Sequence, residues 1–122
     1  MSVPANLRYT ADHEWIDDAS PAAVGITEHA TEQLGELVYL SLPEVGEAVT
    51  AGQVFGEVES TKSVSELFAP ASGTIAEVNT AAVDDPALVN ADPYGTWLVK
   101  IDVTELGELL SAEEYEAIAA EG

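Results

Sequence analysis

Hydrophobic and polar residues alternate over several short segments of the chain, and this alternation predicts β-strands. Turn-forming Gly, Pro, Asn, Asp and Ser residues separate these segments. The predicted strands are residues 13–17, 22–26, 36–42, 54–60, 63–70, 72–79 and 96–102. In the strand at 54–60, the alternation predicts that Val54 and Val58 share one face, while Phe55 lies on the other face with Glu57 and Glu59.

A helical pattern interrupts the predicted strands once inside the chain. Thr27 is predicted to cap the start of a short helix, and Gly35 stands where a helix end requires a positive φ. Residues 43–53 are predicted to be two turns around a short extended piece, and residues 84–95 are rich in turn residues.

The C-terminus is predicted to be a helix of ordinary amphipathic character. Ser111 and Glu114 have the spacing of a capping box. Tyr115, Ile118 and Ala119 then form an apolar stripe along one helical face. Short strands at close spacing, with one internal and one terminal helix, predict a mainly β fold of the sandwich or flattened-barrel type.

Length and composition favour a single globular domain over residues 1–122. The chain has 122 residues, and 47% of them are apolar, which is enough for a hydrophobic core in one domain but short for a multidomain enzyme. No cysteine is present, so the sequence excludes disulfides, thiol nucleophiles and Cys-based zinc sites.

The charge is strongly negative, because three Lys and Arg residues stand against 23 Asp and Glu, for a formal net charge of −20. Such a surface repels phosphate backbones and anionic headgroups, so we expect neither nucleic acid nor membrane partners. The N-terminus lacks an apolar h-region, and no apolar run approaches the roughly 18 residues of a membrane span. We therefore expect a cytoplasmic protein, and a monomer.

The usual catalytic arrangements are missing from the sequence. His13 and His29 lack a metal-ligand spacing, and Ser60, Ser63 and Ser65 lack a nucleophile elbow. No Gly-rich phosphate loop is found either. Four aromatic residues are interpreted as core and interface packing: Trp15, Tyr39, Tyr94 and Trp97. The chain does not resemble a self-contained enzyme.

Lys62 is the residue whose position requires an explanation. It is one of two lysines, and it lies between two predicted strands at a predicted hairpin tip, flanked by the small residues Thr61 and Ser63. An ε-amine at such a tip is accessible to a modifying enzyme. The residues alone leave open a modified lysine, a docking residue or an ordinary surface lysine.

Four fragments in order and at their spacing make the chain similar to the H proteins of the glycine cleavage system. They are HEW (13–15), the segment 25–79, LVNADPYGTWLVKI (88–101) and LLSAEEYEAI (109–118). The resemblance implies a lipoyl/biotinyl-type β-sandwich, the barrel-sandwich hybrid of two antiparallel sheets, with a short internal helix and a C-terminal helix.

The resemblance also implies the functional residues. Lipoic acid would be attached to Lys62, and Glu59 and Gly73 have the spacings that the lipoylating enzyme recognises in this family. Glu14 of HEW is a candidate to hold the loaded arm when it folds back into a cleft.

The partners implied by the resemblance are three enzymes and the lipoylating enzyme. A pyridoxal-phosphate glycine decarboxylase would load the aminomethyl group, a tetrahydrofolate-dependent aminomethyltransferase would remove it, and dihydrolipoyl dehydrogenase would reoxidise the dithiol. The chain itself would be a non-catalytic carrier.

Two departures from the family and several alternatives remain. The segment before Trp97 is one residue shorter than usual, and the acidity is extreme. A lipoyl domain of a 2-oxoacid dehydrogenase would have Asp-Lys-Ala at the lysine and lack HEW, and a biotinyl carrier would have flanking methionines. A lipoyl donor to other proteins or to sulfur metabolism, and an unmodified interaction module, stay open.

Overall fold

The computed structural model describes residues 3–121 as nine β-strands and four helices. In chain order they are β1 (Arg8–Tyr9), β2 (Glu14–Ile16), β3 (Ala22–Ile26), α1 (Glu28–Leu34), β4 (Leu37–Ser41), β5 (Ala48–Val49), β6 (Val54–Ser60), β7 (Val64–Phe68), β8 (Ala71–Val78), α2 (Thr80–Asp84), α3 (Ala87–Ala91), β9 (Val99–Leu106) and α4 (Ala112–Glu121). None of the described helices is long and apolar enough to cross a membrane.

The strands form two antiparallel sheets, which confirms the predicted sandwich. The larger sheet has the order β1-β2-β3-β9-β8-β5, and the smaller has the order β4-β6-β7. Val24 and Ile101 of the larger sheet and Leu40 and Val58 of the smaller sheet belong to one buried apolar cluster. The core therefore lies between the two sheets. That residues 1–122 form one domain stays a prediction.

One predicted alternation is wrong at the start of β6. Val54 is exposed while Phe55 is buried. Phe55 therefore shares the buried face with Val58, and Val54 lies on the opposite face, which is the reverse of the prediction. The pairing of β6 with β7 shifts between Val54 and Gly56, and this bulge turns the side chains before it by one position. The faces of Glu57 and Glu59 follow the prediction, because both lie after the bulge and are exposed.

The segment predicted as turns contains helical structure instead. The short helix α3 occupies residues 87–91, where Pro, Asp and Asn had favoured turns, and the short helix α2, residues 80–84, lies just before this segment and was not predicted. The last strand also starts later than predicted and runs further, from Val99 to Leu106. Each short helix buries one apolar residue, Ala82 or Val89, against the core, so tertiary packing outweighs local turn propensity.

The predicted capping box of the C-terminal helix is confirmed. The Ser111 amide donates to Glu114 Oε1 at 2.9 Å, and the Glu114 amide donates to Ser111 Oγ at 3.2 Å. Tyr115 and Ala119 are buried as predicted, but Ile118 is 36% exposed, so its place in the buried stripe is wrong. The buried stripe of α4 is narrower than the sequence suggested.

A second apolar cluster joins α4 to the N-terminal strands. The rings of Tyr9 and Tyr115 stack at a centroid distance of 4.7 Å, and Trp15 belongs to the same buried cluster. Tyr94 and Trp97 are half-buried and pack against this cluster, in agreement with their interpretation as packing residues. Tyr39 is 55% exposed, so for this residue a place in the core was wrong.

Tyr115 should contribute more to stability through its hydroxyl than its position on a terminal helix suggests. Its oxygen lies 2.7 Å from His13 Nδ1 and 2.7 Å from Thr27 Oγ1. Tyr115→Phe keeps the ring but removes the hydrogen bonds to both partners, of which Thr27 keeps its bond from the Ala30 amide, so the free energy of unfolding should fall by about 1–3 kcal/mol. Urea unfolding followed by circular dichroism measures the change.

The matched control is Tyr39→Phe, which removes a hydroxyl from an exposed tyrosine. Its free energy of unfolding should stay within about 0.5 kcal/mol of the original chain. Equal values for the two variants would show that the Tyr115 hydroxyl is not structurally important.

Candidate functional site

Lys62 lies at the tip of the hairpin formed by β6 and β7, and its side chain is exposed. In this tip, residues 60–63, the Ser60 hydroxyl accepts hydrogen bonds from backbone amides that have no strand partner. Its Oγ accepts from the Lys62 amide at 3.2 Å and from the Ser63 amide at 3.1 Å, while the Ser60 amide donates to the Ser63 carbonyl at 2.8 Å. Ser60, two residues before the lysine, therefore stabilises the turn through its side chain.

The tip is joined to the loop between α1 and β4. The Thr61 amide donates to the Glu36 carbonyl at 3.1 Å. On either side of Glu36, the side-chain amide of Asn90 bonds the backbone: Nδ2 donates to the Gly35 carbonyl at 2.9 Å, and Oδ1 accepts from the Leu37 amide at 2.9 Å. Asn90 in α3 thus holds the loop on which the hairpin tip rests.

Gly35 has two roles in this loop. It ends α1 at φ +81° and ψ −154°, a conformation that is essentially restricted to glycine. A Cβ at this position would also lie 2.9 Å from Lys62 Cε. The methylene chain of Lys62 therefore passes over bare backbone, and any larger residue there would displace it.

Glu59 and Gly73, which the resemblance associates with recognition by the lipoylating enzyme, lie in different sheets. Glu59 is exposed in β6, three residues before the lysine and opposite Val64 of the hairpin. Gly73 is in β8 next to a shift in the pairing with β9, and a Cβ there would collide with the Asp102 carbonyl. The structure thus provides a packing reason for Gly73, and its role in recognition stays a prediction.

Glu14 is almost completely buried, with 1% of its surface exposed. Thr10 Oγ1 donates to its Oε1 at 2.5 Å, and the Phe68 amide donates to its Oε2 at 3.2 Å. Burial raises the pKa of Glu14 to about 7, although these two hydrogen bonds favour the charged form and act in the opposite direction. A carboxyl with this pKa changes its charge close to neutral pH.

The carboxyl of Glu14 lies at the end of β7 that is away from the tip. From Val64 to Phe68, β7 extends by roughly 13 Å at the usual rise per residue. A groove of about 430 Å³ opens there and is lined in part by Thr10, Asp12 and Phe68. Glu14 itself is not on the groove wall, because Thr10 and Phe68 hold its carboxyl behind them.

The two histidines form a cluster that supports the backbone beside Glu14. The rings of His13 and His29 are 4.6 Å apart, and His13 adopts φ +71°, which is unusual for a residue other than glycine. Burial lowers the pKa of His13, with His29 adding to the effect and Asp12 opposing it. Within the described residues no group of three potential ligands could hold a metal ion. The cluster fits the structural interpretation of both histidines.

Asn90 and the second role of Gly35 were missed by sequence reasoning. Asn90 stands in the segment 84–95 that the sequence presented as turns, and its contacts are made 53 and 55 residues away in the chain. Asparagine in such a segment is an ordinary turn residue. No local signal distinguishes it from a residue that holds a distant loop.

The chain is similar throughout its length to proteins of one family. The family model described as "Glycine cleavage H-protein" matches residues 7–122. The glycine cleavage system H proteins of Beutenbergia cavernae and Streptomyces coelicolor are 52% and 54% identical, each over 98% of both chains. The crystal structure of a glycine cleavage system H protein from Mycobacterium marinum superposes with a TM-score of 0.90 at 58% identity, covering 94% of this chain and 97% of that one.

Loss of the Asn90 side chain should loosen the hairpin tip. Asn90→Ala removes two hydrogen bonds from the loop that receives the Thr61 amide. Amide hydrogen exchange at Thr61, measured by NMR, should become about tenfold faster. Asn79→Ala is the matched control, because it removes a side-chain bond to the Trp97 carbonyl and none to the loop that receives the Thr61 amide. Equal exchange rates at Thr61 in the two variants would contradict the role of Asn90.

Glu14 should make stability depend on pH. Its folded pKa of about 7 is above the ordinary glutamate pKa of 4.5, so the folded state binds this proton more tightly. The resulting stability is fully present below pH 4.5 and is lost as the pH rises through 7. Glu14→Gln does not titrate and preserves the shape of the side chain. Urea unfolding should show the original chain losing up to about 3 kcal/mol relative to this variant between these pH values. A constant difference would contradict the burial of an ionisable carboxyl.

Proposed function

The chain belongs to the glycine cleavage H-protein family, and we propose that Lys62 is the lysine through which it carries lipoate. Members of this family are the lipoyl carriers of the glycine cleavage system and not catalysts. The observation that carries the proposal is the tip itself: an exposed lysine on a hairpin whose backbone is hydrogen-bonded on both sides. Lys100, the other lysine, forms an ion pair with Glu77 at 3.9 Å and lies over the ring of Trp97.

The surroundings of Lys62 fit a lysine that becomes an amide. Within residues 3–121 its ammonium makes no ion pair, so converting it into a neutral amide breaks none. Its methylene chain lies over Gly35, where the backbone has no side chain that would obstruct the first atoms of an arm. When attached, lipoate supplies the disulfide and dithiol chemistry that carries the one-carbon unit of glycine between enzymes.

The protein contributes presentation of the arm. The hydrogen bonds that the tip amides donate to Ser60 Oγ and to the Glu36 carbonyl fix the root of the arm. A tethered group of this kind meets a docked partner at a raised effective concentration. As a family member the chain interacts with other glycine cleavage components. We propose that these are the pyridoxal-phosphate glycine decarboxylase, the aminomethyltransferase and dihydrolipoyl dehydrogenase, with a lipoylating enzyme acting on Lys62 before them.

Glu14 is proposed as the group that receives the loaded arm. The roughly 13 Å of β7 between Val64 and the Phe68 amide is a distance that an extended lipoyl-lysine can span. A carboxylate attracts an ammonium group, and the groove beside Thr10 and Phe68 provides access. Glu14 has to exchange its present bonds with these two residues for the new contact. That the protein is a cytoplasmic monomer, and that Glu59 and Gly73 guide the lipoylating enzyme, stay predictions.

Lys62 should be the single site of lipoylation. The intact mass of the original chain, after incubation with a lipoate ligase, lipoate and ATP, should increase by one lipoyl group. Lys62→Ala should show no addition, because it lacks the tip amine. The control Lys100→Ala should gain one lipoyl group like the original chain. Lys100 is not expected to be lipoylated, since its amine is engaged with Glu77 in the original chain.

Other outcomes would contradict the proposal. A lipoyl group on Lys62→Ala would place the attachment elsewhere. An unmodified original chain, with another carrier modified in parallel, would remove the carrier function from this chain. Assays of the lipoylated chain with glycine and the partner enzymes then separate glycine cleavage from donation of lipoate to other proteins.

A further inference from the structure

The outer face of the three-stranded sheet lies directly beside the hairpin tip. Its side chains form two cross-strand rows, because β4, β6 and β7 pair in register there. We call this surface the arm face, and its members are Tyr39, Glu59 and Val64 in the row next to the tip and Ser41, Glu57 and Glu66 in the row behind it.

The row next to the tip has large apolar side chains that are exposed to solvent. Tyr39 is 55% exposed and Val64 is 57% exposed, and their neighbour Val38 is 50% exposed. Tyrosine is enriched at protein interfaces because its ring contributes apolar area while its hydroxyl can stay hydrated. An exposed tyrosine beside two exposed valines therefore suits contact with another protein.

The second row carries a repulsion that the chain itself does not relieve. Glu57 and Glu66 are direct partners across β6 and β7, and both are exposed. Like charges in this arrangement destabilise a sheet, because the Cβ atoms are only about 5 Å apart. The one ion pair within residues 3–121 joins Lys100 to Glu77 in the other sheet, so no cation of the described chain neutralises this pair.

We propose that the arm face is a docking surface for a protein partner that presents an arginine or lysine to Glu57 and Glu66 and an apolar recess to Tyr39. A cation between the two carboxylates would remove their repulsion. It would donate a charge-assisted hydrogen bond to each of them. This inference rests on the proposed function, since the partner is the pyridoxal-phosphate glycine decarboxylase, which must reach the arm on Lys62.

The position of the arm face supports this assignment. Tyr39, Glu59 and Val64 form the last cross-strand row before residues 60–63, so a protein covering them has the root of the arm at the edge of its contact area. The net charge of −20 attracts basic proteins to the whole chain, but it does not orient them. A local pair of carboxylates next to an aromatic ring supplies that orientation.

The test compares variants of the arm face with matched variants of the other sheet. Glu57→Gln and Tyr39→Ser alter the arm face, while Glu105→Gln and Leu106→Ser alter exposed residues of β9. Each protein is lipoylated and supplied as substrate to a pyridoxal-phosphate glycine decarboxylase. The KM for the carrier and the kcat are measured at several salt concentrations.

Both arm-face variants should bind the decarboxylase less tightly at nearly unchanged kcat. We expect the KM to rise roughly threefold to tenfold for Glu57→Gln and at least tenfold for Tyr39→Ser, as for interface charges and aromatic anchors. The KM of Glu57→Gln should also depend less on salt. Its midpoint of thermal unfolding should rise, because the repulsion from Glu66 is gone, so weaker binding cannot be ascribed to poorer folding.

The outcomes separate this inference from the proposed function. Arm-face variants that match the β9 variants in KM, while all are lipoylated and turned over, would overturn the docking surface and leave the carrier function intact. Binding of the unlipoylated proteins to the same decarboxylase, measured by surface plasmon resonance, tests docking without the arm. There too, Glu57→Gln and Tyr39→Ser must dissociate faster than Glu105→Gln and Leu106→Ser, or the proposal is wrong.

Discussion

The hydrogen bond from the Thr61 amide to the Glu36 carbonyl is the contact on which the candidate site depends. A hairpin tip held by its own turn alone would move with the ends of its two strands. This bond joins the tip to the loop after α1, and Asn90 in turn holds that loop from α3. Three separate parts of the chain therefore determine where the lysine stands. A flexible arm is useful to a carrier only if its root is fixed, and these bonds fix the backbone of the lysine that we propose as the root.

Most strands, and the position of Lys62 at a hairpin tip, could be predicted from the sequence because their signals are local. Alternation marks β6 and β7, and the short gap between them marks the tip that carries Lys62. The errors arose where distant parts of the chain act. The bulge at Val54 is visible only in the pairing of β6 with β7, and α2 and α3 form because the core accepts Ala82 and Val89. Asn90 could not be identified for the same reason, since its partners are more than 50 residues away.

The segment around Glu14 shows how the ends of the chain support the groove. The Tyr115 hydroxyl bonds both His13, which precedes Glu14, and Thr27, which caps α1. The ring of Tyr115 stacks on Tyr9, so the terminal helix packs against the first strand through these two rings. Burial of Glu14 raises its pKa to about 7 and keeps part of the population neutral near physiological pH. A cationic ligand at this carboxyl would favour the ionised form, so arm docking and proton release would be coupled.

The scarcity of lysine has a consequence for how a modifying enzyme finds its target. Lys100 holds its amine against Glu77 and the ring of Trp97, so Lys62 is the lysine of this chain whose amine has no such partners. A lipoylating enzyme that acts on Lys62, as we propose, therefore meets little competition from other lysine amines on this chain, whatever Glu59 and Gly73 add to its recognition. For the proposed lipoylation of Lys62, the scarcity of lysine would add selectivity, because it removes competing substrates from the surface.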